Sequence, residues 1–379
     1  FSFFDSIEKK KYYNPNHYYD YRSSANGYTI NKYYAGSALA LSPFFLGGHL
    51  LSLAKNVDID GYSFYYVHAA RIGALFYFFI AVFFLMKALR TYNIRKINII
   101  YIIWAFVFGT HLFFYSIIEF SMSHIYSLAF ISIFIYYSRE YFCSFSAKSL
   151  FIMAISLGMV CLIRPVNMII ILALPFLASS FKNFRQAFFY LFRKPVLLIS
   201  AAVVFLIFPL MQLIIYKIQS GDFFVYSYVH EGFNFLKPKI FSILFSYKKG
   251  LFVYTPLTLL SLVGFVPLFR RSRYEFYCLL FFLFTLTWVL SSWWMWYYGG
   301  SFSSRVYVEF LPFFAILLAT ALQSIRKKSL KRGFLTLIIA ISLFCQVQTY
   351  QYRYYQIHWS EMSKEKYWDV FLRIDRLIK

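Results

Sequence analysis

Apolar stretches of about 15 to 23 residues recur roughly ten times along this chain, separated by short basic or aromatic connectors. A chain patterned in this way is expected to fold as an all-α bundle, because inside a bilayer only helices and closed barrels satisfy their own backbone groups. The chain is 60% hydrophobic and 14% charged, more apolar than a water-soluble globule of 379 residues needs. Chemistry then has to sit in the loops or in a cavity lined by protein.

The formal net charge of +23 would suggest a nucleic-acid binder in a soluble protein, so its location matters. Much of it falls in four connectors: Lys87–Lys96, Lys182–Lys194, Arg270–Arg273 and Arg326–Arg332. These alternate with connectors poor in Lys and Arg, such as EFSMSH at Glu119–His124 and YYGGSFSSR ending at Arg305. The positive-inside rule assigns the basic set to the cytoplasm. No basic cluster adjoins a soluble domain, so no nucleic-acid partner is expected.

From that orientation the expected spans lie near 66–88, 97–118, 124–139, 148–163, 165–181, 196–217, 251–269, 276–296, 306–324 and 333–350. Residues 1–65 are then an exoplasmic loop, 66–350 the transmembrane bundle and 351–379 an exoplasmic amphipathic tail, with short helices carried in the loops. In the tail, Trp368, Phe371, Ile374, Leu377 and Ile378 recur at helical spacing, as in a helix lying on a membrane surface. Within 1–65, the apolar run Gly36–Leu53 is long enough to span. Pro43 and the pair Gly47-Gly48 favour a break there, hence a re-entrant or interfacial segment.

The chain opens on Phe1 with no basic n-region and apolar h-region, which leads us to expect an upstream span and more of the first loop. Cys143, Cys161, Cys278 and Cys345 fall in expected helices or at their cytoplasmic ends, so no structural disulfide is expected. There is no CxxC or HExxH spacing for a metal, and no P-loop or GxGxxG for a nucleotide.

Three exoplasmic clusters carry the polar groups that a membrane protein keeps for a cavity or a path. The first is Lys32 with Tyr33 and Tyr34, which also suits a headgroup anchor. The second sets Glu119 and His124 in one short turn and Arg164, Pro165 and Asn167 in the next. A carboxylate, an imidazole and a guanidinium there suit proton transfer or phosphate binding. The third runs from Ser291 to Pro312: Trp293, Trp294, Trp296 and Tyr297, then Gly299-Gly300, Arg305 and Glu309. The aromatic residues alone would make an interfacial belt. The glycines, the arginine and the embedded glutamate are not needed for anchoring and suit a sugar carried on a phosphate. Lys248-Lys249, in SYKKG, adds two cations against the positive-inside trend, which suit either a phosphate ligand or lipid headgroups.

The segments NKYYAGSALALSPFF, EFSMSHIYSLAF, LIRPVN, FSYKKGLFVYTPL and WWMWYYGGSFSSRVYVEFLP resemble, in their order and common placement, the polytopic GT-C superfamily of membrane glycosyltransferases. The likeness is to bacterial members akin to protein O-mannosyltransferases and aminoarabinose transferases, and it spans nearly the whole chain. It implies an enzyme of the bacterial inner membrane that passes a sugar from a polyprenyl-phosphate donor to an exoplasmic glycan, lipid or protein acceptor. It also implies a catalytic Asp soon after a first span, a position expected upstream of Phe1; Asp5, Glu119 and His124 are the candidates within the chain.

On that reading Lys32, Arg164, Lys248, Lys249 and Arg305 would hold the phosphate. Trp293, Trp294, Trp296, Tyr297, Gly299 and Gly300 would meet the sugar or the lipid. No metal ligand set is expected, and a divalent cation requirement stays open. Two other classes fit the helices: a catalytically silent subunit of a larger membrane complex, and a lipid or solute transporter. The transporter should show two related halves, and the sequence has no such repeat.

Overall fold

The computed structural model describes residues 22–25, 27–228 and 231–376. Its architecture is mostly helical, with one two-stranded hairpin in which β1 (Arg22–Ala25) pairs antiparallel with β2 (Tyr28–Asn31). The helices are α1 Gly36–Ala54, α2 Phe64–Thr91, α3 Lys96–Phe108, α4 His124–Ser144 and α5 Ala147–Ile163. A 3-10 segment, Pro165–Ala173, leads into α6 Leu174–Leu177, and α7 Phe181–Phe192 and α8 Pro195–Ser220 follow. Short helices α9 Ile240–Phe245, α10 Leu251–Tyr254, α11 Pro256–Ser261 and α12 Phe265–Arg271 precede α13 Arg273–Ser291. A second 3-10 segment, Arg305–Phe310, runs into α14 Leu311–Ser324, and α15 Lys328–Arg353 and α16 Lys364–Val370 end the order.

The centre of the bundle is α14. Its sequence LPFFAILLATALQS is apolar on every face, so no face prefers solvent, and every residue from Leu311 to Leu322 is buried. It packs against α3 on one side and against the broken helix α11–α12 on another. Gly264 permits that second contact: a Cβ there would stand 2.0 Å from the Leu317 carbonyl oxygen. A second layer, α2, α4, α5 and α8, lies side by side around it.

Among the described residues, six helices are long and apolar enough to cross a membrane: α1, α2, α8, α13, Arg305–Ser324 and α15. A seventh is added if Pro165–Leu177 and α7, which meet at a 114° bend, count as one. The roughly ten expected from the sequence are therefore not reached by length and composition. The shortfall has physical causes. Helices α3 and α5 have only 13 and 17 residues, and the run 251–271 is broken at Pro256 and again by a 3-10 turn at Leu262–Gly264. Helix α4 carries Arg139 and Glu140 among its apolar residues. The nine-residue 3-10 segment Pro165–Ala173 rises about 2.0 Å per residue, so it covers roughly 18 Å where an α-helix would cover roughly 13.5 Å.

The expected break in Gly36–Leu53 does not occur: α1 is continuous through Pro43. Proline deprives the Leu39 carbonyl of its usual partner, and the Ser42 hydroxyl donates to that oxygen instead at 2.8 Å. The glycines serve packing. Gly48 lets α1 approach the Tyr65 carbonyl of α2, and Gly73 makes room for Leu41 and Phe44.

Polar clips tie the end of the bundle that carries the basic connectors. Arg139 donates to Ser179 Oγ at 2.7 Å and to the Thr91 carbonyl at 3.1 Å, and its guanidinium lies 3.8 Å over the Tyr92 ring. Asn98 donates to Gln323 at 2.6 Å and accepts from Lys331 at 2.7 Å, fixing α3 to α14 and α15. Beside them α7 buries only Ala187 and exposes Phe181, Phe188, Phe189 and Phe192 together with Lys182 and Arg185, a membrane-surface composition.

The tail differs from expectation. Tyr367 and Val370 of α16 are buried on the bundle, with Tyr367 packed on Tyr247 and Tyr254 and accepting from Gln348 at 3.0 Å. The sequence pattern was dominated by Trp368, Phe371 and Ile374, but the anchoring contact is this tyrosine. Leu377 and Ile378 lie outside the described residues. Cys143, Cys161, Cys278 and Cys345 are free thiols.

Substitution of Gly264 by Ala is expected to cost about 1–3 kcal/mol, because the new methyl meets backbone that has no room to move. Gly333→Ala, where a Cβ meets nothing within 4 Å, should leave stability unchanged or slightly raised. Thermal melting of the two variants in detergent checks the pair; equal melting would show that α12 and α14 are not packed as described.

Candidate functional site

Three helix starts converge at the end of the bundle opposite the basic connectors. Helix α4 begins at His124, the 3-10 segment before α6 begins after Arg164, and the 3-10 segment before α14 carries Arg305 and Glu309. Glu309 holds them together. Its Oε1 lies 2.9 Å from His124 Nδ1, and it accepts from Arg164 Nη1 at 3.4 Å and from Asn167 Nδ2 at 3.2 Å. A carboxylate oxygen only accepts, so a hydrogen bond to it needs the imidazole proton on Nδ1, and Arg164 Nη1, a donor, lies 3.1 Å from Nδ1 and 3.4 Å from Nε2 of the same ring. Asn167 also donates to Ser127 Oγ at 2.8 Å, which locks the segment after Arg164 onto α4. Glu309 and His124 are buried, whereas the Arg164 side chain keeps 19% exposure and reaches the surface of the site.

Beside this clamp lies positive charge without matching negative charge. Arg305 donates from Nη1 to the Met122 sulfur at 3.4 Å, its Nε is buried without a hydrogen-bond partner, and it forms no ion pair among the described residues. Arg305 and Arg164 lie within electrostatic reach of the same two side chains, His124 and Tyr298. Lys249 is buried in the connector before α10, where its ammonium donates to the Gly299 carbonyl and to Ser301 Oγ, the latter at 2.7 Å. Burial, with the charges of Arg305 and Lys248 adding to it, pushes the Lys249 ammonium well below the ordinary lysine range. A bound anion would relieve both costs at once.

The loop that presents these groups is strained. Tyr298 and Ser303 hold φ of 55° and 56°, and Gly299 holds 65°. A non-glycine residue in that region costs roughly 1–3 kcal/mol and persists only where its surroundings impose it. Here the Tyr298 hydroxyl donates to the Leu290 carbonyl at 2.7 Å, and Ser304 Oγ donates towards the carbonyls of Ile243 and Lys249, each at 2.9 Å.

Two cavities open beside the cluster. One, of about 840 Å³, is lined by residues including Arg71, Glu119, Gly300, Arg353, His358 and Trp359. The other, of about 530 Å³ and mainly apolar, runs between α5 and α8 past Leu162, Pro165, Pro209, Leu213, Phe224 and Val225. It begins one residue from Arg164, and Pro209, inside α8, lines its wall.

The structure brings together His124, Arg164, Lys249, Arg305 and Gly299 from the sequence candidates. Glu119 and Gly300 both line the larger cavity. Lys248 stacks 3.7 Å over the Tyr297 ring, at the edge of the same loop. Lys32 is paired with Glu231 and lies 5.1 Å over the Tyr228 ring, so its charge is already matched by a carboxylate. Trp293 packs on Phe233 and Tyr228, Trp294 is exposed and Trp296 packs against the core; none of the three lines either cavity. The tryptophan that does is Trp359, in a tail that the sequence pattern assigned to the membrane surface. Arg71 and Arg353 were missed because each sits within a helix whose apolar pattern dominates. Asp5 lies outside the described residues. Among the described residues no group of three or more His, Cys, Asp or Glu is arranged to hold a metal ion.

Replacing Glu309 by Leu should destabilise the protein by about 3–5 kcal/mol, since it leaves a guanidinium and an imidazole without the acceptor that compensates their burial. Phe223→Leu, on an exposed loop, serves as the reference. Melting temperatures of the two variants decide it, and an unchanged value for Glu309→Leu would remove the clamp from this account.

Comparison of the chain with family models, with curated proteins and with solved structures finds no match.

Proposed function

We propose that this chain is the membrane-embedded body of a GT-C-type glycosyltransferase that takes a sugar from a polyprenyl-phosphate donor and passes it to an exoplasmic acceptor at a bacterial inner membrane. The observation that carries this reading is Arg305, without a carboxylate partner among the described residues, in one cluster with Lys249 and with Arg164, whose neighbour Pro165 lines an apolar groove. Arg305 is half-buried, with its Nε buried and unpartnered, and such a group is costly unless a ligand supplies the partner. A lipid phosphate meets both features: its oxygens suit the guanidinium fork, and its prenyl chain suits the groove lined by Pro165, Leu213 and Phe224.

In the transfer, the phosphate is the leaving group, and the charge it gains is what Arg305 and Lys249 stabilise. Arg164, fixed by Glu309 and followed by Pro165 of the groove wall, is the third cation. The strained loop 298–303 keeps these donors in place before the ligand arrives, so that little reorganisation is needed at reaction. On this reading the chain crosses the membrane about ten times, using the short and broken helices as well as the long ones, with the basic connectors cytoplasmic and the cluster exoplasmic.

Orientation is checked with single cysteines in a variant lacking the four native ones. Leu236→Cys should react with an impermeant thiol reagent added outside, and Leu330→Cys only after the membrane is opened; both positions are exposed. Labelling of both from one side would overturn the topology.

Activity is checked in membranes with a labelled polyprenyl-phosphate-sugar donor. Arg305→Ala should lower transfer by about 10²–10³-fold, the loss seen when one donor to a developing charge is removed. Arg305→Lys should recover only part of it, because an ammonium lacks the bidentate fork. Near-normal transfer in Arg305→Ala would favour a catalytically silent subunit of a larger membrane complex.

A further inference from the structure

At the end of the bundle that carries the basic connectors, the chain turns a corner that several side chains hold. Helix α7 meets the segment Pro165–Leu177 at 114°, close to the right angle that turns a membrane-crossing segment into the plane of the membrane. Arg139 of α4 donates to the Leu177 carbonyl at 3.3 Å and to Ser179 Oγ at 2.7 Å. Ser179 takes a φ of 64°, which a non-glycine residue keeps only where its surroundings impose it. Ser180 Oγ then accepts the Asn183 amide at 3.1 Å, and Asn183 Nδ2 donates to the Ala178 carbonyl at 3.3 Å. With the corner fixed, one side of α7 rests on the end of α4: Ala187 is buried, Phe184 packs on Phe142 and Tyr190 stacks on Phe145.

The other side of α7 is apolar as well. Phe181, Arg185, Phe188, Phe189 and Phe192 recur at i, i+4, i+7, i+8 and i+11, so they form one stripe along the helix. Its four phenylalanines are 54–61% exposed, a patch that water would make costly. Lys182 flanks the stripe, Arg193 and Lys194 follow it, and the segment from Phe181 to Lys194 contains no Asp or Glu. Helix α8 begins directly after Lys194, and its exposed Val196 and Ile199 continue the apolar surface into a helix long and apolar enough to cross a membrane. Phenylalanine rings and cations without carboxylates, continuous with a lipid-facing helix, fit the headgroup region of a negatively charged leaflet. The rings suit the acyl chains, and the ammonium and guanidinium suit the lipid phosphates.

We infer that α7 is a binding site for anionic phospholipids: Phe181, Phe188, Phe189 and Phe192 enter the leaflet on the side of the basic connectors, and Lys182 and Arg185 hold lipid phosphates there. The inference goes beyond the glycosyltransferase reading and does not depend on it. An anionic lipid is selected over a zwitterionic one because its headgroup carries no cation of its own to repel these side chains. Because α7 leads straight into α8, the lipid contact helps to set the level at which α8 enters the membrane. Pro209 of α8 lines the apolar groove, so the composition of the leaflet acts on the wall of that groove.

The test uses the complete protein, lacking its four native cysteines and carrying a fluorescent label at Phe189→Cys, in vesicles of phosphatidylcholine. The probes are phosphatidylglycerol and phosphatidylcholine with a nitroxide on the acyl chain, which quenches the label on contact. Half-maximal quenching should need a mole fraction of the phosphatidylglycerol probe lower by roughly 10-fold or more, since each cation near the surface is worth about 5-fold. Lys182→Gln with Arg185→Gln should bring the two probes together while quenching by both persists, because the rings stay in the leaflet. Lys327→Gln with Lys328→Gln, two exposed cations at the same end of the bundle, should leave the preference intact. Equal quenching by the two probes before any cation is removed overturns the selection of anionic lipid. A preference that survives the loss of Lys182 and Arg185, or falls as far with Lys327 and Lys328, overturns the site. Quenching by neither probe places the stripe in water and overturns the inference as a whole.

Discussion

A fully buried carboxylate has to find its partners in the protein, and Glu309 finds them for its Oε1 on two other segments. Everything at this end of the bundle follows from that requirement. His124, the first residue of α4, contacts Glu309, Asn167 ties the 3-10 segment to Ser127, and Arg164 reaches Glu309 while its side chain stays partly exposed. The central helix α14 supplies such a polar contact only near its other end, through Gln323, since every residue from Leu311 to Leu322 is apolar or small and buried. The clamp at its start and the Asn98 contact to Gln323 at its end fix its depth, which hydrophobic packing alone, being non-directional, would leave free.

The contrast between Glu309 and Arg305, four residues apart, is informative. One group gathers three donors on its Oε1, and the other has no partner among the described residues beyond a thioether. If Arg305 served stability, the fold would be expected to bring it a carboxylate, as it does for Lys32 and Arg271. Retaining an unmatched guanidinium next to a buried ammonium raises the free energy of the folded chain. Such costs are tolerated at ligand sites, where the same preorganised charge stabilises the bound anion.

Much of this was legible in the sequence for physical reasons. The long helices were, because a span writes itself as a run of apolar residues, and Arg164 and Arg305 were, because an isolated cation at the sparsely charged end of a span stands out. The partners of Glu309 were harder to read: His124 and Asn167 lie 185 and 142 positions away, and no local pattern joins them. Pro43 misled because the rescue by Ser42 is a hydroxyl contact that a helix-breaker rule does not contain. Trp293 misled in the opposite way, since aromatic residues near a polar loop look alike whether they meet a ligand or, as here, Phe233 and Tyr228. The span count suffered because hydropathy does not distinguish an α-helix from the 3-10 segment Pro165–Ala173.

Irregular helical geometry concentrates at the same end as the charge. The π-helical turn Phe114–Ile118, the 3-10 segment starting at Pro165 and the 3-10 segment starting at Arg305 each adjoin a residue of the site: Glu119, Arg164 and Arg305 themselves. Each departs from the α pattern of hydrogen bonds and changes the direction of the next side chain. In lipid that would be costly, so such backbone is tolerated where protein or a wet cavity surrounds it. The basic end uses regular caps instead: Ser146, Ser180 and Ser272 each accept the amide three residues on. The asymmetry between a regular end and an irregular, cation-bearing end is the arrangement expected when one face of a bundle anchors the fold and the other is shaped around a ligand.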